Sequence, residues 1–303
     1  MATPTTEAAA PQSPAAQPGL TDMIRVAVPD RGLRQDLRAT SIVWRRELIR
    51  FRTDRLRMVT ALIQPVLFLF VLGTGLGSLA GHSLPAGISF KTFIYPGVVA
   101  MGVLFTSIFS AGSIVWDREF GFLREMLVAP VNRAAIVVGK CAGGATVATF
   151  QGIIVLALAG LAGVPYNPIL ILTLIGELLL LSFTLTAFGV MMAARIKQFQ
   201  AFMALTQMLV MPLFFLSGAL YPLSGLPAWL TVLTRIDPLT YIVDPMRRAV
   251  FSHLNISPAA LHQLAPGVSW GGWTVPLGLS LGIVAIMGLV MISIAIAEFN
   301  KTE

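Results

Sequence analysis

The chain has 303 residues, of which 56% are hydrophobic and only 12% charged. Soluble domains carry about 25% charged residues, and the mean hydropathy here is +0.80. This excludes a soluble enzyme, a disordered protein and a nucleic-acid-binding module, and leaves a polytopic membrane protein. The single cysteine, Cys141, forbids an intrachain disulfide and argues against a thiolate metal site. The three histidines, His82, His253 and His262, show no ligand spacing.

Residues 1–19 are rich in Ala, Pro, Thr, Ser and Gln, with Glu7 as the only charged side chain. They cannot bury an apolar face and read as a disordered tail that extends to about residue 32. No basic segment precedes an apolar one, so the tail is not a signal peptide. Over 33–58, Leu33, Leu37, Trp44, Leu48 and Phe51 recur at steps of three, four or seven, interleaved with eight arginines, among them Arg38, Arg45, Arg46 and Arg50. The spacing predicts an amphipathic helix in the headgroup plane, its Arg side toward lipid phosphates.

Six apolar stretches follow, at about 59–79, 93–115, 142–161, 169–194, 201–220 and 273–297. A helix rising about 1.5 Å per residue needs about 20 residues to cross a core of about 30 Å. The expected fold is therefore all-α, a 59–297 membrane domain of six spans with residues 298–303 beyond it. With the N-terminus inside, seventeen basic residues fall inside and four outside, which predicts a multi-pass cell-membrane protein with both termini cytoplasmic. The positive net charge of +7 is thus topological rather than a nucleic-acid footprint. The outer segment 221–272 holds two stretches too short to span, 226–233 and 240–251, broken by prolines and flanked by Tyr and Trp; they read as re-entrant helices.

No phosphate-binding loop is present: Gly139-Lys140 lacks the upstream glycine and the following Ser or Thr. Glu177 is the one carboxylate clearly inside a span, about 12 Å deep by helix rise. It reads either as part of a substrate path or dimer interface, or as a carboxyl satisfied by protonation or a neighbouring helix. The inner loop 116–133 alternates charge sign and carries Phe120, Leu123 and Leu127 as one apolar stripe, with Pro130 ending the helix. Such a helix suits docking into a groove on a soluble partner.

The run Asp117-Arg-Glu-x-Gly-x-Leu-Arg-Glu-Met-Leu-x-Ala-Pro-Val131 resembles the first cytoplasmic loop of ABC-2-type transporter permeases, including the daunorubicin-resistance type. Pro212 to Pro222, then Leu226-Pro227-x-Trp229-Leu230 and Asp237-Pro238-Leu239-Thr240-Tyr241-x-x-Asp244 with Arg247, resemble that family's fifth span and outer re-entrant region. Tyr95-Pro96-Gly97 fits the start of its second span, and the resemblance covers about 34–297.

The resemblance implies an exporter subunit for drugs, lipids or lipid-linked glycans that dimerises with a second permease subunit and docks on a separate ABC ATPase. ATP and Mg would sit on that partner, and this chain would bind no cofactor and catalyse nothing itself. The helix with Arg38, Trp44, Arg45, Arg46, Leu48 and Arg50 would be the connecting helix. Asp117, Arg118, Glu119, Phe120, Gly121, Leu123, Arg124, Glu125, Leu127 and Pro130 would form the coupling helix. Glu177, Phe214, Phe215 and Tyr221 are candidates for the substrate path or dimer interface. The alternative is a stand-alone ion-coupled carrier, against which a single intramembrane acid weighs.

Overall fold

The computed structural model describes residues 32–80, 88–122, 131–254, 256–270 and 272–301. The predicted tail, except Gly32, and the candidate coupling residues Leu123, Arg124, Glu125, Leu127 and Pro130 lie outside the described residues. The elements are α1 (Leu33–Thr53), α2 (Arg55–Leu67), a π-helical turn (Phe68–Leu72), α3 (Gly73–Ala80), α4 (Phe90–Glu119), α5 (Arg133–Leu156), α6 (Pro168–Arg195), α7 (Phe199–Leu216), α8 (Ala228–Ile236), α9 (Thr240–Ser252), α10 (Pro258–Leu264) and α11 (Leu277–Lys301). A short hairpin pairs Ser269 with Thr274 and Trp270 with Trp273 before α11.

Among the described residues, six helical segments are long and apolar enough to cross a bilayer: Met58–Ser78, Phe90–Glu119, Arg133–Leu156, Pro168–Arg195, Phe199–Leu216 and Leu277–Lys301. The protein is an all-α polytopic membrane protein. Local chemistry sets the helix starts. Ser89 accepts from the Thr92 N–H at 3.2 Å, Asn132 from Ala134 at 3.0 Å and Asn167 from Ile169 at 2.9 Å, each satisfying a donor with no partner inside its helix. The first span is not one α-helix: Pro65 lacks a backbone donor, and a π-helical turn follows it at Phe68–Leu72.

α4 is the central span, with 83% of its membrane window buried, against 17% for the first span and 22% for α7. It runs antiparallel to α5: Asp117 meets Lys140, Thr106 bonds Gln151, and the Tyr95 hydroxyl donates to the Leu156 carbonyl at 2.9 Å. With 30 residues, α4 is about 45 Å long, well beyond a core of about 30 Å. α2 joins this register at Ala61, whose carbonyl accepts from Gln151 at 2.8 Å. The end of α4 and the beginning of α5 therefore project past the start of the first span as a two-helix stem. α1 packs lengthwise on that stem: Asp36 accepts from the Asn132 N–H at 3.3 Å, Thr40 donates to the Ala135 carbonyl at 3.2 Å, and Phe51 meets Phe150 edge-on at 6.5 Å.

Candidate functional site

The face of α1 that is buried carries Val43 and Glu47, while Leu33 and Leu37 of the expected apolar stripe are exposed. α5 offers Gly139 and Gly143 to that face. A Cβ on Gly139 would lie 2.8 Å from Val43 Cβ, and one on Gly143 2.7 Å from Glu47 Cβ, so only glycine admits α1 at this separation. Between the two glycines Lys140 enters the interface, its side chain 2% exposed. Its ammonium reaches Glu47 Oε1 at 2.6 Å, Asp117 Oδ2 at 2.6 Å and Ser113 Oγ at 3.1 Å, so all three donors are used. Asp117 also accepts from Arg46 at 2.5 Å and faces Arg50 at 3.7 Å. Buried charges are tolerable only when paired and hydrogen-bonded, and this cluster meets both conditions on the stem.

The next two residues of α4 fasten other helices. Arg118 donates to the carbonyls of Ala193 and Ile196 at 3.0 and 2.8 Å, a cation on the carbonyl end of α6, and lies 5.6 Å from the Phe299 ring centre of α11. Glu119 Oε2 accepts from the Phe199 N–H at 2.8 Å and caps the amide end of α7. Three consecutive residues at the end of α4 thus hold α1 and α5, then α6 and α11, then α7. Trp116 packs on Phe120 and Phe199, and Gly121 turns the chain with φ +82°. Phe120 and Phe122 remain 56% and 51% exposed.

At the opposite end, Arg247 of α9 is the largest fully buried side chain. It donates to the carbonyls of Gly218 at 2.6 Å, Ala219 at 3.1 Å and Tyr221 at 3.4 Å, where the chain leaves α7, and lies 4.3 Å over the Phe93 ring of α4. Burial pushes its guanidinium down to about 10, with Asp244 acting the other way, so it stays charged near neutrality. Gly97 admits this turn: a Cβ there would lie 2.5 Å from Ala219 Cβ. Asp244 pairs with Arg248 at 2.7 Å. Asp237 is buried at the α8–α9 junction, where its Oδ1 accepts from the Leu239 N–H at 2.9 Å; burial pushes this carboxyl up to about 8.

Residues 38–251 match the model of the ABC-2 type transporter family. The chain belongs to that family. A putative transport permease, ycf38 of Cyanophora paradoxa, is 28% identical over 253 residues, spanning 82% of this chain and 84% of the relative. Nodulation protein J of Rhizobium leguminosarum bv. trifolii is 28% identical over 217 residues, 70% and 80% of the two chains. The inner membrane transport permease YadH of Escherichia coli K12 is 28% identical over 215 residues, 69% and 81%. The protein is an ABC-2 type permease, a membrane transport component, and the family works with an ABC ATPase subunit.

Within this permease, the sequence-derived coupling residues divide. Asp117, Arg118 and Glu119 are engaged by the chain's own helices, whereas Phe120 and Gly121 lie at the turn beyond them. Of the α1 residues, Arg46 and Arg50 face Asp117, and Trp44 donates to Thr146 at 3.1 Å. Arg38 and Arg45 are exposed and Leu48 is half-buried. Glu177 is buried between helices, and neither carboxyl oxygen has a hydrogen-bond partner among the described residues. Phe214 is core, edge-on to Phe68 at 5.9 Å; Phe215 is exposed and Tyr221 half-buried. Sequence reasoning missed Glu47 and Lys140 as partners, and Phe122. The Gly139-Lys140-x-x-Gly143 spacing was the available signal, a smooth helix face with a lysine at its centre.

Proposed function

We propose that this permease is the membrane subunit of an ATP-driven exporter, moving a hydrophobic or amphipathic substrate out of the cytoplasm or inner leaflet. The α1 end, with both termini, faces the cytoplasm; the seventeen-to-four division of basic residues supports that orientation. A separate ABC ATPase subunit holds ATP and Mg and seats against the turn after α4. A second permease subunit covers the exposed faces of the first span and α7. Exposed Gln207 near the middle of α7 supports this, since an amide is poorly placed against lipid tails.

The observation that carries the reading is the chain of ties at Asp117, Arg118 and Glu119. Force applied at the turn after Glu119 reaches four other helices through charge-assisted hydrogen bonds, and α11 through the Arg118–Phe299 contact, rather than through a loose loop. The ATPase needs only to grip the aromatic pair beyond the hub, and the hub distributes the movement.

Co-expression with an ABC ATPase subunit and reconstitution of the purified complex test this. Replacing Phe120 and Phe122 with Ala should abolish ATPase co-purification and ATP-driven export while leaving thermal stability within about 1 kcal/mol of the parent, as exposed sites do. Undiminished export by the double variant, or uphill transport by the chain alone on an ion gradient, would refute it.

A further inference from the structure

The mechanism above leaves unused a cavity of about 240 Å³ between α2, α4 and α5. It lies at the level of Ala61 and Gln151, just inside the start of the first span. One wall is aromatic: Phe105 and Phe109, one helical turn apart on α4, lie stacked with ring centres 6.1 Å apart and planes within 11° of parallel. The amides of Gln64 and Gln151 line the same cavity. Both polar atoms of the Gln151 amide are already engaged, the nitrogen donating to the Ala61 carbonyl and the oxygen accepting from the Thr106 hydroxyl. Gln64 lines the same cavity, and its amide makes no hydrogen bond among the described residues. Among the described residues, none that lines this cavity is charged.

Each feature narrows the occupant. A bare acyl chain would fill the aromatic wall but leave the Gln64 amide without a partner inside a membrane span, which is costly. An ion would lose its hydration with no counter-charge in the lining. The charged groups line the neighbouring cavities instead: Glu47, Arg50 and Asp54 together in one, and Arg50, which already faces Asp117, at the edge of the other. A flat stacked wall with hydrogen-bonding amides in the same lining suits a ring with an apolar face and polar edge groups.

We infer that this cavity binds an uncharged amphiphile, its ring laid against Phe105 and Phe109 and a hydroxyl or carbonyl held by Gln64. It deepens the exporter reading by naming the substrate class as neutral and ring-bearing. It therefore excludes lipids whose headgroup must enter as a phosphate or pyrophosphate. The second cavity, lined by Phe109, Trp116, Phe199 and Met203 on the same side of α4 and by Arg50 and Ser113 at the α1 end, continues the aromatic surface past the first cavity.

The test uses the full chain in lipid nanodiscs without any ATPase. Four photoreactive probes share one diazirine-bearing alkyl chain and differ in headgroup: a glucoside, an uncharged aryl ketone, a phosphate and a trimethylammonium. The labelled peptides are mapped by mass spectrometry. One or both uncharged probes should label the 60–65 and 102–109 segments at least tenfold more than either charged probe, and comparison of the two distinguishes a sugar from an aromatic ring. Gln64→Leu should lower that labelling about fivefold, the loss expected for one hydrogen bond, whereas Gln207→Leu, on the exposed face of α7, should not. Equal labelling by charged probes, labelling confined to other segments, or indifference to Gln64→Leu overturns the inference. The exporter reading fails separately: selective labelling with no ATP-driven transport by the complex sinks that reading alone, and ATP-driven transport without selective labelling sinks this one alone.

Discussion

Lys140→Met removes one ammonium and keeps most of the side chain's volume. Its two carboxylate partners then differ in fate. Asp117 keeps Arg46 at 2.5 Å, but Glu47, 5% exposed, loses the one ion pair shown for it. Leaving a buried charge without its partner costs about 3–5 kcal/mol. At roughly 2 °C per kcal/mol for a chain of this length, the melting midpoint should fall by about 6–10 °C. Removing the stranded charge as well, in Glu47→Gln with Lys140→Met, should recover at least half of that loss, because a neutral amide needs far less compensation. The assay is thermal unfolding of the purified permease in detergent or nanodiscs at two salt concentrations. The loss should be nearly independent of salt, since the cluster is shielded from mobile ions. A midpoint unchanged within about one degree, or a double variant no better than the single one, would refute the claim that Lys140 neutralises Glu47 in the folded protein.

Arg247→Lys should be poorly tolerated despite its conserved charge. A lysine lacks the planar fork that meets three carbonyls while lying over Phe93, so a loss of about 2–3 kcal/mol is expected, read as a lowered melting midpoint; stability equal to the parent would contradict the role assigned to Arg247. Asp237 should make the α8–α9 junction pH-sensitive. Its folded value of about 8 stands above its ordinary value of 3.8, so the folded state binds the extra proton. The stability it contributes is whole below about pH 4 and is lost as pH rises through about 8. Amide exchange at Leu239 and Thr240, corrected for intrinsic rates, should accelerate between about pH 4 and 8 in the parent, level off above that, and show no such trend in Asp237→Asn.

The resemblance in the sequence and the match over residues 38–251 identify the same family, yet the end of α4 and the start of α5 show where a sequence stops being informative. The run from Asp117 to Glu119 reads as alternating charge, and alternating charge on an amphipathic pattern reads as a face turned to a partner. In the structure the same three side chains turn toward α1 and α5, toward the carbonyl end of α6, and toward the amide end of α7. Helix periodicity gives each residue a direction around its own axis but not the identity of what lies there. Lys140 is the complementary case. A basic residue near the end of a span reads as a marker of the inner side, whereas the structure buries it between Glu47 and Asp117, 93 and 23 residues away in the chain.

Quantities that depend on the chain one segment at a time were decided by the sequence alone. Apolar length gave six spans, because a backbone in hydrocarbon must close its own hydrogen bonds and the bilayer fixes how many residues that takes. Proline spacing and short apolar runs pointed to two short helices between the fifth and sixth spans, found at Ala228–Ile236 and Thr240–Ser252, while a third, Pro258–Leu264, was not foreseen. Quantities that depend on which helices are neighbours were decided only by the tertiary structure: the stem that carries α1, the ion cluster within it, the carbonyls held by Arg247 and the uncharged cavity beneath Gln64. Each is a meeting of groups far apart in sequence, and a buried charge or an open amide acquires its meaning from the partner it does or does not find.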